Sequence, residues 1–248
     1  ACTISDIGYH YPASVELGAV TFQKGEYGRQ WVLENMNLTF NPEESLQNFL
    51  ASFSIYGGSV SLEGKLEDGL NDIYIDGVEI FGMDLQKANL RDFSRRNVSG
   101  ILGFSGSYGG RLSELAEGSL SGKMELTDFV SELKRPVLTS SEVQFDRISA
   151  QIEVSHEQLI FSDGTATGPL YDGTFSGRMT SVPKPAGSIV IDGTLSPKQT
   201  FIRKNRQAAR ATKLLYKKYR NTKIPFNVTG RPQEPVFRFG SRRQKANN

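Results

Sequence analysis

Gly118 to Lys123 reads GSLSGK and is this chain's nearest approach to a phosphate-binding loop. Cradling a nucleotide phosphate needs GxxxxGK, a glycine-rich turn that opens a helix and directs its N–H groups at the anion. The stretch is one residue short and lies in a strand-like run, which argues for a structural role. Ser105, Ser121 and Ser176 also sit in glycine-rich stretches, but none occupies the GxSxG of a nucleophile elbow. His10 lies among tyrosines and His156 in SHEQ, a turn-like context, so both read as surface or packing residues. A single cysteine, Cys2, forms no internal disulfide, and with two histidines no Cys/His cluster is available for structural zinc. Carboxylates are plentiful and read as solvated side chains, since paired glycosidase acids cannot be picked out without a structure. The sequons at Asn37, Asn97 and Asn227 are short patterns that matter only in a eukaryotic secretory context. The expectation is a protein that is not an enzyme, with no metal and no cofactor.

Charge is more informative. The chain of 248 residues has a net charge of only +2, but Lys198 to Asn248 holds 15 Lys and Arg against one acid, Glu234, leaving 14 against 26 before it. The body is therefore −12 and the tail +14. Such asymmetry points to nucleic acid, a membrane surface or an acidic partner. The cations lie in a segment with helical periodicity, about Pro197 to Thr222, where Ser196 can cap and Pro197 can take the first position. Phe201, Ala208, Ala211, Leu215 and Tyr219 fall on one face, and Arg203, Arg206, Arg210, Lys213, Lys217 and Arg220 on the other. This basic stripe reads first as a solvated face whose apolar side packs on a sheet, next as a surface facing an anionic membrane or a partner, and last as a nucleic-acid helix. No module that reads DNA or RNA accompanies it.

The elements that would position these residues are strands. Some 25 glycines fall between short apolar and aromatic runs, with turn signals every 8–12 residues. Ile148, Ala150, Ile152 and Val154 recur at period two; so do Ile189 and Ile191 before Asp192-Gly193. Gly100, Gly103 and Gly106 lie three apart inside one such run, where bulges, bending or close approach of another layer would accommodate them. The expected fold is mainly β: a single curled, twisted antiparallel sheet, a groove or half-barrel, with one amphipathic C-terminal helix. Asn41 to Phe53 reads either as a short N-terminal helix or as a turn into a strand. Ile224–Thr229 and Val236–Phe239 form a closing strand pair. One domain spans residues 1–240, with a frayed tail over 241–248. No run reaches the ~18 apolar residues of a membrane span.

The order of these blocks resembles the periplasmic part of the type II secretion system protein N family. The resemblance rests on LGAVTF from Leu17, LQNFLASFSIYGGSVSLEGKL from Leu46 to Leu66, IYIDGVEI at Ile73 to Ile80, VSGILGFSGSYGG at Val98 to Gly110, and the ending IVIDGTLSPKQ, helix, IPFNVTGRPQEPVFRF. It covers nearly the whole chain through short motifs. That family is similar to AsmA-like proteins, whose strands curl into an apolar groove implicated in moving lipid between bacterial membranes. The resemblance implies a non-enzymatic periplasmic accessory of protein secretion, tethered to the inner membrane by an N-terminal anchor that would precede Ala1, with other secretion proteins as partners. The alternative is a lipid-binding or lipid-transfer module carrying acyl chains, with phospholipid as ligand. The concave side of such a sheet is either a packed core or an open trough. If open, strand parity selects Ile75, Leu102, Phe104, Phe145, Ile152, Phe161, Phe175 and Ile191 as its lining.

Overall fold

A computed structural model describes residues 2–10, 14–24, 29–40, 48–67, 72–88, 96–111, 117–155, 158–180 and 187–240. The strands are β1 (Cys2–His10), β2 (Ser14–Lys24), β3 (Arg29–Phe40), β4 (Asn48–Ile55), β5 (Gly58–Glu67), β6 (Asp72–Asp84), β7 (Val98–Arg111), β8 (Ser119–Val137), β9 (Ser140–Ser155), β10 (Gln158–Thr167), β11 (Tyr171–Thr180), β12 (Ile189–Pro197), β13 (Ile224–Arg231) and β14 (Glu234–Phe239). They form one 14-stranded sheet in strict chain order, each paired with its predecessor. All pairs are antiparallel. β1 and β14 do not pair with each other, so the sheet is not closed into a barrel.

Two chemistries build the curvature. Asp6, Asn35, Asp128 and Asp163 sit within strands at φ of 52°, 54°, 51° and 49°. Asp and Asn tolerate this left-handed conformation better than other side chains, and each such residue interrupts the pleat so that the strand bends. Gly100 does the same in β7 at φ 143°, beside a register shift between Ser99 and Ile101. The second device is glycine on one face. Gly106 and Gly122 are direct register partners, and the Phe104 ring lies over both, where a Cβ would meet its Cζ at 2.6 Å and 2.7 Å. Phe226 covers Gly193 and Phe175 covers Gly164 in the same way. Bending a sheet crowds the side chains on its concave face, and omitting every few Cβ atoms there relieves the crowding.

The readings of two segments change. Asn48 to Phe53 is strand, since Phe49 and Ala51 are buried while Leu50 and Ser52 face water, a period of two; residues 41–47 of that reading lie outside the described residues. The single helix expected over 197–222 is two, α1 (Gln199–Lys204) and α2 (Arg206–Tyr219). Ser196 and Pro197 do not start it, because both stay in β12, opposite Asp172 and Tyr171. The cap position is Lys198, which makes no side-chain cap hydrogen bond. Asn205 causes the break: its Oδ1 accepts from the Ala208 N–H at 2.9 Å, and its Nδ2 donates to Thr139 Oγ1 at 3.0 Å. Asn stabilises a helix start better than a helix interior. The helix ends at Arg220, which adopts the left-handed conformation at φ 51°. The tail over 241–248 lies outside the described residues.

The helices cover one end of the apolar face. Leu138, Tyr171 and Leu195 form a buried cluster, against which Phe145, Phe201, Ala211, Leu215, Phe226 and Phe239 pack. Ala208 and Ile224 are fully buried. The Tyr171 ring meets Phe201 edge-on at 5.3 Å, and its hydroxyl donates to the Val137 carbonyl at 3.2 Å. Burial pushes the Tyr171 phenol up to about 12 from its ordinary 10. Between those values the unfolded chain has lost a proton that the folded one keeps. The stabilisation is therefore complete below pH 10 and is lost as pH rises towards 12. Tyr171→Phe is expected to flatten this alkaline fall while costing about 1 kcal/mol at neutral pH for the lost hydrogen bond. Urea unfolding of both proteins at neutral and alkaline pH checks it, and equal alkaline losses would refute the assignment.

Candidate functional site: an apolar trough

Directly paired residues lie on the same side of a sheet, so the registers define rows that run across the strands. One row is Ile75, Tyr108, Leu120, Val154, Leu159, Met179 and Ile189. The next is Val78, Gly106, Gly122, Ile152, Phe161, Gly177, Ile191, Val228 and Phe237. A third contains Ile80, Phe104, Met124 and Ala150, and continues as Gly164, Phe175, Gly193, Phe226 and Phe239. A fourth begins Met83, Leu102, Leu126, Ile148 and Ala166. No charged residue appears in any of them. The opposite face carries the charge, as in the exposed Arg147–Glu125 pair at 2.5 Å, in which the carboxylate raises the Arg147 pKa.

Seven of the eight residues selected by parity stand in these rows. Ile75 belongs to the first row, Ile152, Phe161 and Ile191 to the second, Phe104 and Phe175 to the third, and Leu102 to the fourth. Phe145 packs against the cluster beneath the helices. Parity places Ala150 beside Ile148 and Ile152 but does not single out the glycines or Ala166, which take part through their lack of bulk. The signal for the glycines is the aromatic residue two positions away or across the strand.

Burial across each strand gives the shape. In β6, Val78 is buried between half-buried Ile75 and Ile80; in β9, Ala150 between Ile148 and Ile152; in β7, Phe104 between Leu102 and Gly106. A flat apolar face would be evenly exposed and a sandwiched one evenly buried. A buried line with half-exposed flanks is a concave floor with walls. Among the described residues the only helices are α1 and α2, and their contacts fall on the β8–β9 turn and the β11–β14 end. With strands about 4.8 Å apart, the fourteen-strand face runs roughly 60 Å along its curve, about twice the hydrocarbon thickness of a bilayer. Covering each half-exposed Ile or Phe is worth on the order of 1 kcal/mol.

The residues of the basic stripe, Arg203, Arg206, Arg210, Lys213, Lys217 and Arg220, are all exposed, but the break divides them. Arg203 is on α1, Arg206, Arg210, Lys213 and Lys217 share a face of α2, and Arg220 is its C-terminal cap. Arg206–Arg210, Arg210–Lys213 and Lys213–Lys217 stand three or four residues apart, like-charge spacings that cost the helix a few tenths of a kcal/mol each. Arg206 also opens α2, where the helix dipole disfavours a cation.

The motifs weighed for catalysis are accommodated structurally where they are described. Gly118 to Lys123 leads into β8, and its Gly122 lies beneath the Phe104 ring. His10 Nε2 is 3.3 Å from Glu16 Oε2 on the exposed end of the sheet, and His156 lies outside the described residues. Among the described residues no three His, Cys, Asp or Glu side chains cluster to hold a metal, and no helix is long and apolar enough to cross a membrane. The chain matches no protein-family model, no curated protein and no solved structure. The order of motifs quoted above is thus the whole support for a tie to type II secretion.

Proposed function

We propose that this chain is a non-enzymatic lipid-binding module that holds acyl chains in the trough of its curled sheet. The observation that carries the reading is the uncharged concave face, with a buried floor and half-exposed walls, uncovered by any described helix away from the β8–β9 turn and the β11–β14 end. An apolar surface of this extent is characteristic of an interaction site. Acyl chains suit it because they need burial and offer no hydrogen bonds, and the rows that line the face are apolar or glycine apart from the Tyr108 hydroxyl. Organic extraction of the natively purified protein followed by mass spectrometry tests the reading. At least one phospholipid per folded chain is expected; a lipid-free protein with an intact fold would overturn it.

The second reading is an accessory scaffold of type II secretion, periplasmic and held at the inner membrane. Beyond the motif order, one feature favours a protein partner. β1 is an edge strand whose Ile4, Ile7 and Tyr9 are 47%, 70% and 64% exposed, a template on which a partner's strand can pair. The two readings are compatible, since a strand added at β1 would lengthen the trough.

A further inference from the structure

The outer surface of α1 and α2 is built for something the rest of this chain does not provide. From Lys198 to Gln233 there is no acidic residue, and among the described residues none of the six stripe cations has an ion-pair partner. The like-charge spacing works against the helix itself, so the stripe is not explained by helix stability. Leu214 adds a second observation. It is 68% exposed although the helix buries apolar residues on its other side. Helical geometry puts it beside Arg210 and Lys218, one turn away on either side, and Lys217, three residues on.

We infer that this surface docks on an anionic bilayer, with the cations at lipid phosphates and Leu214 entering the headgroup layer. A leucine standing among cations is the arrangement of an interfacial amphipathic helix. Nucleic-acid phosphates would engage the same cations and leave Leu214 without a role. The surface is separate from the trough, because α2 presents Ala208, Thr212 and Leu215 to the sheet and the stripe to the opposite side. Docking would set the helix-covered end of the sheet against the membrane.

Vesicle co-sedimentation of the whole chain tests the inference, using phosphatidylcholine alone and phosphatidylcholine with about one-third phosphatidylglycerol. The wild type is expected to sediment with the anionic vesicles only, and to be released as salt rises from about 50 to about 500 mM. Arg206→Gln, Arg210→Gln, Lys213→Gln and Lys217→Gln combined should lower binding at least ten-fold, since each cation near the surface is worth up to roughly five-fold. Leu214→Ser should weaken binding several-fold and make the remainder more salt-sensitive. These side chains are exposed, so the variants should keep the fold; the wild-type salt titration decides the matter if the quadruple variant does not. Equal sedimentation with both vesicle types, an unaffected quadruple variant, or an unaffected Leu214→Ser would overturn the inference. So would tight binding of a DNA duplex together with no sedimentation on anionic vesicles. Trough loading is read separately, by extracted lipid, so an empty protein that still sediments leaves this inference standing.

Discussion

Replacing Ile152 and Ile191 together by aspartate is expected to reduce co-purifying phospholipid at least ten-fold while leaving the protein folded. The two residues belong to one row, joined through Phe161 and Gly177, so the new carboxylates would flank a single stretch of wall. Both positions are half-exposed, and in an empty trough the carboxylates remain largely hydrated. An acyl chain lying along the row would strip that water without supplying a partner, a penalty of several kcal/mol for each charge. The readout is lipid per chain by mass spectrometry, with circular dichroism as the check on folding. Unchanged lipid content in the folded double variant would place any bound lipid elsewhere. Aspartate at Glu153, on the charged face, is the control and should change nothing.

The largest expected loss of stability comes from a single added side chain. Gly122→Val would put a Cβ 2.6 Å from the Gly106 Cα and 2.7 Å from the Phe104 Cζ. The first obstacle is backbone of the paired strand, which cannot turn aside as a flexible side chain would. Overpacking of this kind costs about 1–3 kcal/mol and occasionally more, and here the strand pair and the ring must both move. Gly103→Ala is the informative comparison. Its Cβ would meet nothing nearer than the Ile80 carbonyl oxygen at 3.5 Å, an ordinary contact, and the unfolded chain would lose freedom, so stability should hold or rise by up to about 1 kcal/mol. Opposite signs for two glycines in adjoining strands, measured by urea unfolding, would separate glycine needed for curvature from glycine that is merely tolerated. Equal effects would refute the crowding argument.

That comparison marks where sequence reading stops. Alternation alone places Ile148, Ala150, Ile152 and Val154 together, and with them seven of the eight lining residues, because side-chain direction in a strand depends only on parity between bulges. Phe145, an odd number of residues from Ile152 in the same strand, is tied to the apolar side only by its packing against the cluster beneath the helices. It fails at the bulges themselves. Asp128 and Asp163 look like ordinary polar positions until their left-handed backbone is seen, since αL tolerance is a permission and not a requirement. The helix break at Asn205 was hidden for a related reason. Its cause lies 66 residues away, at the Leu138–Thr139 turn between β8 and β9, which positions Thr139 to receive the Asn205 amide. Both turn residues have positive φ, 47° and 81°, unusual for a leucine and for a β-branched threonine. Burial of Leu138 in the C-terminal cluster and the bond from Asn205 hold them there. The stripe from Arg206 to Lys217, by contrast, was legible from its spacing, because those four cations share one helix; the break leaves Arg203 on α1 and Arg220 at the C-terminal cap of α2.

The strict chain order of the fourteen strands also governs how the protein assembles. Every ladder joins consecutive strands, and apart from β12–β13, which closes across the helical segment 198–223, few residues separate the partners. Such a sheet has low contact order for an all-β architecture and grows like a one-dimensional array, each strand templated by the last. The two-residue turn at Tyr56–Gly57, with φ of 52° and 77°, suits an early hairpin, since both residues match the right-handed twist of β4 and β5. Growth ends differently at the two extremities. Each terminal strand has a single neighbour, but the helices pack against Phe239 of β14 while β1 carries an exposed apolar row, so opening is expected to begin at β1 and run inward, one strand at a time.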